Sequence, residues 1–216
     1  MYQPATARLL WIVFLAAAAV LAWQFQDRLE TMFAGRGTLT VERQAGAVVL
    51  AWRGKIEAPM AARLKEAFAE HAGDTRRFLL KLNSPGGTID HGTAVIRAIE
   101  DMRRTHSVDT LVSDRHACAS MCVPVYLAGG RRTAGAKARF MFHEVSYRDE
   151  MSDARKRVPE EAVERATDQL FERYFKPTGV DPGWLAEMRK AVRGKDVWRT
   201  AQELVDQRAG IVQRLE

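Results

Sequence analysis

The spacing of hydrophobic and polar positions changes several times along this chain, and each change marks an element. Leu9 to Trp23 is an unbroken apolar run, LLWIVFLAAAAVLAW. As a helix it would reach roughly 22 Å at 1.5 Å per residue, short of a typical hydrocarbon core. Extension to Phe25, with Arg8 snorkelling, makes a single span feasible, and Trp11 and Trp23 suit the two interfaces. The rival reading is a cleaved signal peptide ending near Val20-Leu21-Ala22. The pattern predicts an anchor or signal segment over 1–26, a linker over 27–37 and one folded domain over 38–216. Of the two, the uncleaved anchor is preferred.

Beyond the linker the periods are those of a folded domain. Leu39–Glu42 and Ala47–Trp52 read as short strands joined through Gln44-Ala45-Gly46. Ala58–His71 carries Met60, Leu64, Ala67 and Phe68 at helical spacing and stops at Gly73. Phe78–Leu82 is a buried strand that runs into Asn83-Ser84-Pro85-Gly86-Gly87. A helix follows from Ile89 to Arg104, with Ile89, Val95, Ile96, Ile99 and Met102 inward. Thr110–Ser113 is again of β type. It leads through small residues to Ala117-Cys118-Ala119-Ser120-Met121-Cys122, and an apolar segment without strand alternation leads out toward Gly130. A chain reads this way when it leaves a sheet, turns sharply and starts a helix.

Arg139–Phe142 is the next strand, ending at His143, and Tyr147–Arg157 is a charged surface excursion. Pro159 opens a helix whose stripe of Val163, Ala166, Leu170, Phe171, Tyr174 and Phe175 is wide enough to pack on the body or on a second subunit, with Tyr174-Phe175 as a candidate contact between copies. Asp181-Pro182 caps a helix to about Val192. Thr200-Ala201-Gln202-Glu203 is a capping box opening the last helix, with Gly210 as its stop. The βαβα order predicts an α/β fold with a largely parallel sheet and crossover helices.

Composition narrows the chemistry. The 216 residues suffice for one well-filled domain. A net charge of +6 without interleaved aromatic and basic residues argues against nucleic acid as a partner. Two cysteines exclude a disulfide framework and a cysteine-rich zinc site, and the five histidines lack metal-ligand spacing, so no metal and no cofactor are expected. Ser120 has two readings at this level. It is an N-cap of the following helix, or a nucleophile whose oxyanion is stabilised by the backbone N–H groups just after it.

From about Phe78 to the C-terminus these motifs resemble the Clp protease proteolytic subunit and its wider Clp/crotonase superfamily. Leu82-Asn83-Ser84-Pro85-Gly86-Gly87 resembles that family's glycine turn, Ala119-Ser120-Met121 its nucleophile turn, and Phe140-Met141-Phe142-His143 the strand ending in its histidine. Asp196, followed by Thr200-Ala201 and Glu203, resembles the third triad residue, although Asp153 and Asp181 also follow His143. The resemblance implies a Clp/crotonase-like spiral of ββα units. It also implies a serine peptidase with Ser120 as nucleophile, His143 as base and Asp196 as orienter, the oxyanion being held by the N–H groups of Gly87 and Met121. Peptides and unfolded or membrane proteins would be the substrates, ATP would not be required, and the chain would self-associate. The apolar N-terminal run adds an inner-membrane location with a periplasmic catalytic domain, or secretion to the periplasm if the segment is cleaved.

Other readings stand beside this one. Lys137 is an alternative base, as in membrane-bound Ser-Lys peptidases. A non-catalytic oligomeric binding protein and a crotonase-type acyl-CoA enzyme share the fold. Cys118 and Cys122 flank Ser120 at i−2 and i+2, roughly 6 Å apart in a helical turn and within disulfide reach. They are a possible bridge, a pair of buried thiols, or the site of a cysteine nucleophile.

Overall fold

The computed structural model describes residues 37–44, 46–147 and 158–216. The expected anchor, most of the linker and most of the charged excursion therefore lie outside the described residues. Among the described residues no helix is long and apolar enough to cross a membrane.

The domain opens with a hairpin. Strand β1 (Thr38–Gln44) pairs antiparallel with β2 (Ala47–Arg53), Gln44 standing opposite Ala47. Gly46, just before β2, takes φ +76°, a left-handed value that glycine supplies without strain. Helix α1 (Ala58–His71), strand β3 (Arg77–Asn83), helix α2 (Ile89–Arg103) and strand β4 (Ser107–Val112) follow. β2, β3 and β4 pair in parallel, with α1 and α2 as the crossovers.

Alternation along these strands decides which face each residue takes. Val48, Leu50, Trp52, Phe78, Leu80, Leu82, Val108 and Val112 are all buried on one face, under the helices. The rings of Phe68 on α1 and Phe78 on β3 lie 5.1 Å apart, a tilted contact that fixes α1 on this side. The opposite face of β1, β2 and β3 carries Thr38, Ala51, Arg53, Lys81 and Asn83, none of them fully buried.

The chain then divides between two sheets. Strand β5 (Ala117–Ala119), helix α3 (Cys122–Leu127), β6 (Arg132–Ala134) and β7 (Arg139–Phe142) come next. β6 joins the first sheet beside β4, whereas β5 and β7 pair in parallel in a second, three-stranded sheet. Helix α4 (Glu160–Tyr174), a 3₁₀ turn (Lys176–Thr178) and helix α5 (Pro182–Ala191) precede β8 (Val197–Thr200), which completes that sheet antiparallel to β7. Helix α6 (Ala201–Asp206) and β9 (Arg214–Leu215), the latter on the outer edge of β6, end the chain. The arrangement is the expected α/β fold with a mostly parallel main sheet.

Buried Arg132 ties the tail down. Its Nε donates to Ile211 O at 3.0 Å and its NH2 to Gly210 O at 2.8 Å. The aromatic stripe of α4 turns inward. Phe171 and Phe175 stack at 4.7 Å between centroids, and Phe175 also faces Phe142. Tyr174 and Phe175 are buried in their own chain, which corrects their assignment as a contact between copies.

Candidate active site

Two loops and one strand end build the site. The first loop leaves β3. Ser84, buried, accepts the N–H of Gly86 on its Oγ at 3.0 Å and pairs with Cys118 of β5 in a parallel bridge. Gly86 takes φ +99°, and a Cβ there would lie 2.8 Å from the Cβ of Ser120 and 2.7 Å from Ala119 O. Only glycine lets the two loops approach this closely. Gly87 is held just as tightly from the other side, where a Cβ would collide with the carbonyl oxygen of buried Ile56.

The second loop leaves β5. Ser120 has φ +54°, a left-handed conformation that costs a non-glycine residue about 1–2 kcal/mol. Its N–H donates to Met141 O at 2.9 Å, and its carbonyl accepts from Val123 N–H at 2.9 Å. Helix α3 begins only at Cys122, with Met121 at the N-cap, and no side chain caps it. Ser120 is therefore not the cap. It sits one residue earlier, and its Oγ is turned to another partner. Cys118 and Cys122 form a disulfide across this turn, with 5.2 Å between their Cα atoms, and both are fully buried.

That partner is His143, just past the end of β7. Its Nε2 lies 2.6 Å from Ser120 Oγ. For the hydroxyl to donate, Nε2 must be the unprotonated nitrogen, which puts the ring proton on Nδ1. Sheet pairing sets the distance, because Ala119 of β5 stands opposite Met141 of β7 and each catalytic candidate follows within two residues.

The N–H groups of Gly87 and Met121 are not engaged in the fold: among the described residues neither has an acceptor. The position a Cβ would take on neighbouring Gly86 is 3.2 Å from Met121 N, so the two free N–H groups belong to one small region beside Ser120. Gly87 is exposed there, whereas the Met121 side chain is buried against Gly92 of α2. Nucleophile, base and two amide donors are the components that acyl transfer requires.

Asp196 does not join them. It is exposed in the turn before β8, and no hydrogen bond or ion pair links it to His143. The pairing of Val197 with Phe142 brings the Asp196 backbone to the His143 end of β7, but the Asp196 carboxylate is turned out to solvent instead of onto the ring. Asp181 is a helix cap, its Oδ1 accepting from Trp184 N–H at 2.7 Å, and Asp153 lies outside the described residues. Lys137 is exposed at the opposite end of β7, its backbone N–H bound to Asp114. Six residues of extended chain put it roughly 20 Å from His143, so it is no base for Ser120. His91 is occupied locally, its ring 3.0 Å from Thr88 Oγ1.

Three supporting residues escape sequence reasoning. Glu144, next to His143, accepts the Gly194 N–H at 2.7 Å. Thr167 of α4 accepts the Val145 N–H at 2.9 Å and donates to Val163 O. Together they hold the segment that follows the histidine. A lone threonine between Val163 and Phe171 in an otherwise apolar stripe is the one signal that could have pointed to it. The third is Tyr126 on α3, whose hydroxyl donates to Thr133 O at 3.1 Å. Burial pushes its phenol well above the ordinary range, against a smaller opposing effect of Arg132, and it remains a donor throughout. Among the described residues no cluster of His, Cys, Asp and Glu is placed to hold a metal ion.

A serine in a strained strand-to-helix turn, bonded to a histidine beside two free amide donors, defines a site of the serine-hydrolase type. The sequence profile of the Clp protease family matches residues 46–215, and the chain belongs to that family. It is 30% identical over 130 residues to the ATP-dependent Clp protease proteolytic subunit 1 of Protochlamydia amoebophila (strain UWE25), and the match spans 59% of this chain and 60% of that protein. The subunit of the same name from Chlamydia caviae is 31% identical over 138 residues, 63% of this chain and 68% of the relative. Among solved structures, a ClpP1 mutant from Listeria monocytogenes has the same fold, with a TM-score of 0.60 at 18% identity over 78% of this chain and 90% of that one.

Proposed function

We propose that the chain is a serine peptidase in which Ser120 attacks the scissile carbonyl and His143 accepts its proton. The observation that carries the reading is the 2.6 Å contact between Ser120 Oγ and His143 Nε2 beside two unoccupied N–H donors. As the Oγ–C bond forms, the carbonyl π pair moves to oxygen, where the Gly87 and Met121 N–H groups receive the charge. His143 then gives its proton to the leaving amine as the C–N bond breaks. Water, deprotonated by the same ring, hydrolyses the acyl-enzyme.

The relatives' names describe proteolytic subunits of an ATP-dependent protease. We carry over the proteolysis, with peptides and unfolded proteins as substrates and self-association of the chain, and expect hydrolysis without added nucleotide. Work at the membrane or outside the cytoplasm is part of the same reading. The apolar run Leu9–Trp23 supports targeting, and a buried disulfide fits an oxidising compartment.

Labelling with a fluorophosphonate, followed by mass spectrometry, tests the chemistry. An adduct on Ser120 that is lost in Ser120→Ala, and slowed at least about a hundredfold in His143→Ala, is expected. A folded, oxidised protein that takes up no label would instead be a binding protein of the same fold.

A further inference from the structure

On the face of the main sheet opposite the helices, a half-open cavity of about 360 Å³ is lined from β1, β2, β3 and the segment after β4. Its volume falls within the ~300–1,000 Å³ range of small-molecule sites. Register explains its walls. Thr38 pairs with Arg53 and Arg53 with Asn83, while Lys81 stands in the next row beside Ala51. Ser113 and His116 close the end near β5. The lining thus holds Arg53, Lys81 and His116, and no carboxylate. None of these three side chains has a hydrogen-bond or ion-pair partner among the described residues, in contrast to Arg43, Arg131, Arg189 and Arg193, each paired with an acid.

Asn83 adds a directed donor. Its Oδ1 accepts the Ala117 N–H at 3.3 Å, which commits the oxygen to β5 and leaves the NH₂ group of this lining residue without a partner among the described residues. Hydroxyls of Thr38 and Ser113 complete a set made of donors. A ligand matched to such a set carries several negative oxygens on a small frame and no cation. We propose that this cavity binds a small polyanion of the phosphate or polycarboxylate type. Its position matters because Asn83 and His116 each stand four residues before a candidate catalytic group, Gly87 and Ser120 respectively. The hydrogen bond from Ala117 N–H to Asn83 joins the cavity lining to β5, the strand that leads to Ser120. The site is independent of the peptidase reading.

Titration of the full chain with inorganic phosphate, pyrophosphate or citrate, at ionic strength held constant with chloride, tests this in ¹H–¹⁵N spectra. Saturable shifts at Arg53, Lys81, Ser113, His116 and the Ala117 amide are expected from at least one anion, and which one saturates identifies the ligand class. Lys81→Gln, in a half-buried position that tolerates the change, should weaken binding about tenfold, and Arg53→Gln/Lys81→Gln should abolish it. Shifts that grow linearly and spread over other basic residues such as Lys55 and Arg97, or saturation unaffected by the double variant, would overturn the proposal.

Discussion

Removal of the Cys118–Cys122 bridge should loosen the nucleophile turn as well as lower the stability of the protein. The bridge closes a loop of five residues, 118–122, around Ser120. In the chain-entropy treatment such a loop is worth about 2 kcal/mol of stability. For a domain of this size that corresponds to a urea midpoint lower by about 1 M in the reduced protein. The local consequence follows from the positive φ of Ser120, a conformation about 1–2 kcal/mol uphill for serine. Without the cross-link the turn can relax into an ordinary conformation. The competent population would then fall by a factor of about 5–30. The assay compares fluorophosphonate labelling rates of oxidised wild type, wild type reduced under mild urea and reoxidised or alkylated, and Cys118→Ala/Cys122→Ala. Labelling should drop within that range, with circular dichroism unchanged. Equal rates for bridged and unbridged protein would refute the idea that the disulfide holds Ser120. Two free thiols in the denatured, non-reduced protein would remove the bridge itself.

Three further outcomes are expected. Gly87→Ala cannot place its methyl without moving the loop away from Ile56, so the oxyanion donor should be lost at a cost of about 10²–10³ in labelling or hydrolysis rate; an unchanged rate in folded protein would take Gly87 out of the hole. Asp196→Asn should label within about twofold of wild type, because the carboxylate is exposed and not bonded to His143, whereas a true triad acid would cost about 10⁴. The Glu203 carboxylate, held by the Thr200 N–H at 2.6 Å and hydroxyl at 2.9 Å, titrates below the usual glutamate range, the backbone bond being the larger cause. Its capping contribution is complete above the unfolded value of about 4.3 and is lost as pH falls through the lower folded value, so the gap in melting temperature between wild type and Glu203→Gln should be present at about pH 6 and close toward about pH 3.

Much of the fold is legible from period alone, for physical reasons. Ala58–His71 and Ile89–Arg103 are long enough for the 3.6-residue repeat to be unambiguous, and their apolar positions are largely the ones buried. Ser120 and His143 are legible through the resemblance of Ala119-Ser120-Met121 and Phe140–His143 to family motifs; from its own neighbours Ser120 reads equally as a cap. β5, β6 and β9 are two or three residues long, too short for alternation to register, and β8 hides in a sequence that mixes Trp, Arg and Thr. Asp196 misleads because the register of β8 brings its backbone to the His143 end of the sheet, while order along the chain says nothing about where its carboxylate points. The cavity behind β3 is invisible in sequence for a related reason: Thr38, Arg53 and Asn83 come together only through the pairing of three strands.

The pairing of Ala119 with Met141 makes catalytic geometry digital rather than analogue. Side chains on a strand alternate faces, so a slip of one residue between β5 and β7 would send the His143 ring to the far side instead of moving it by a fraction of an ångström. Partly active intermediates of assembly are therefore scarce by construction, and each labelled molecule counts one correctly registered sheet. An active-site titration of this protein is at the same time a census of its folded second sheet.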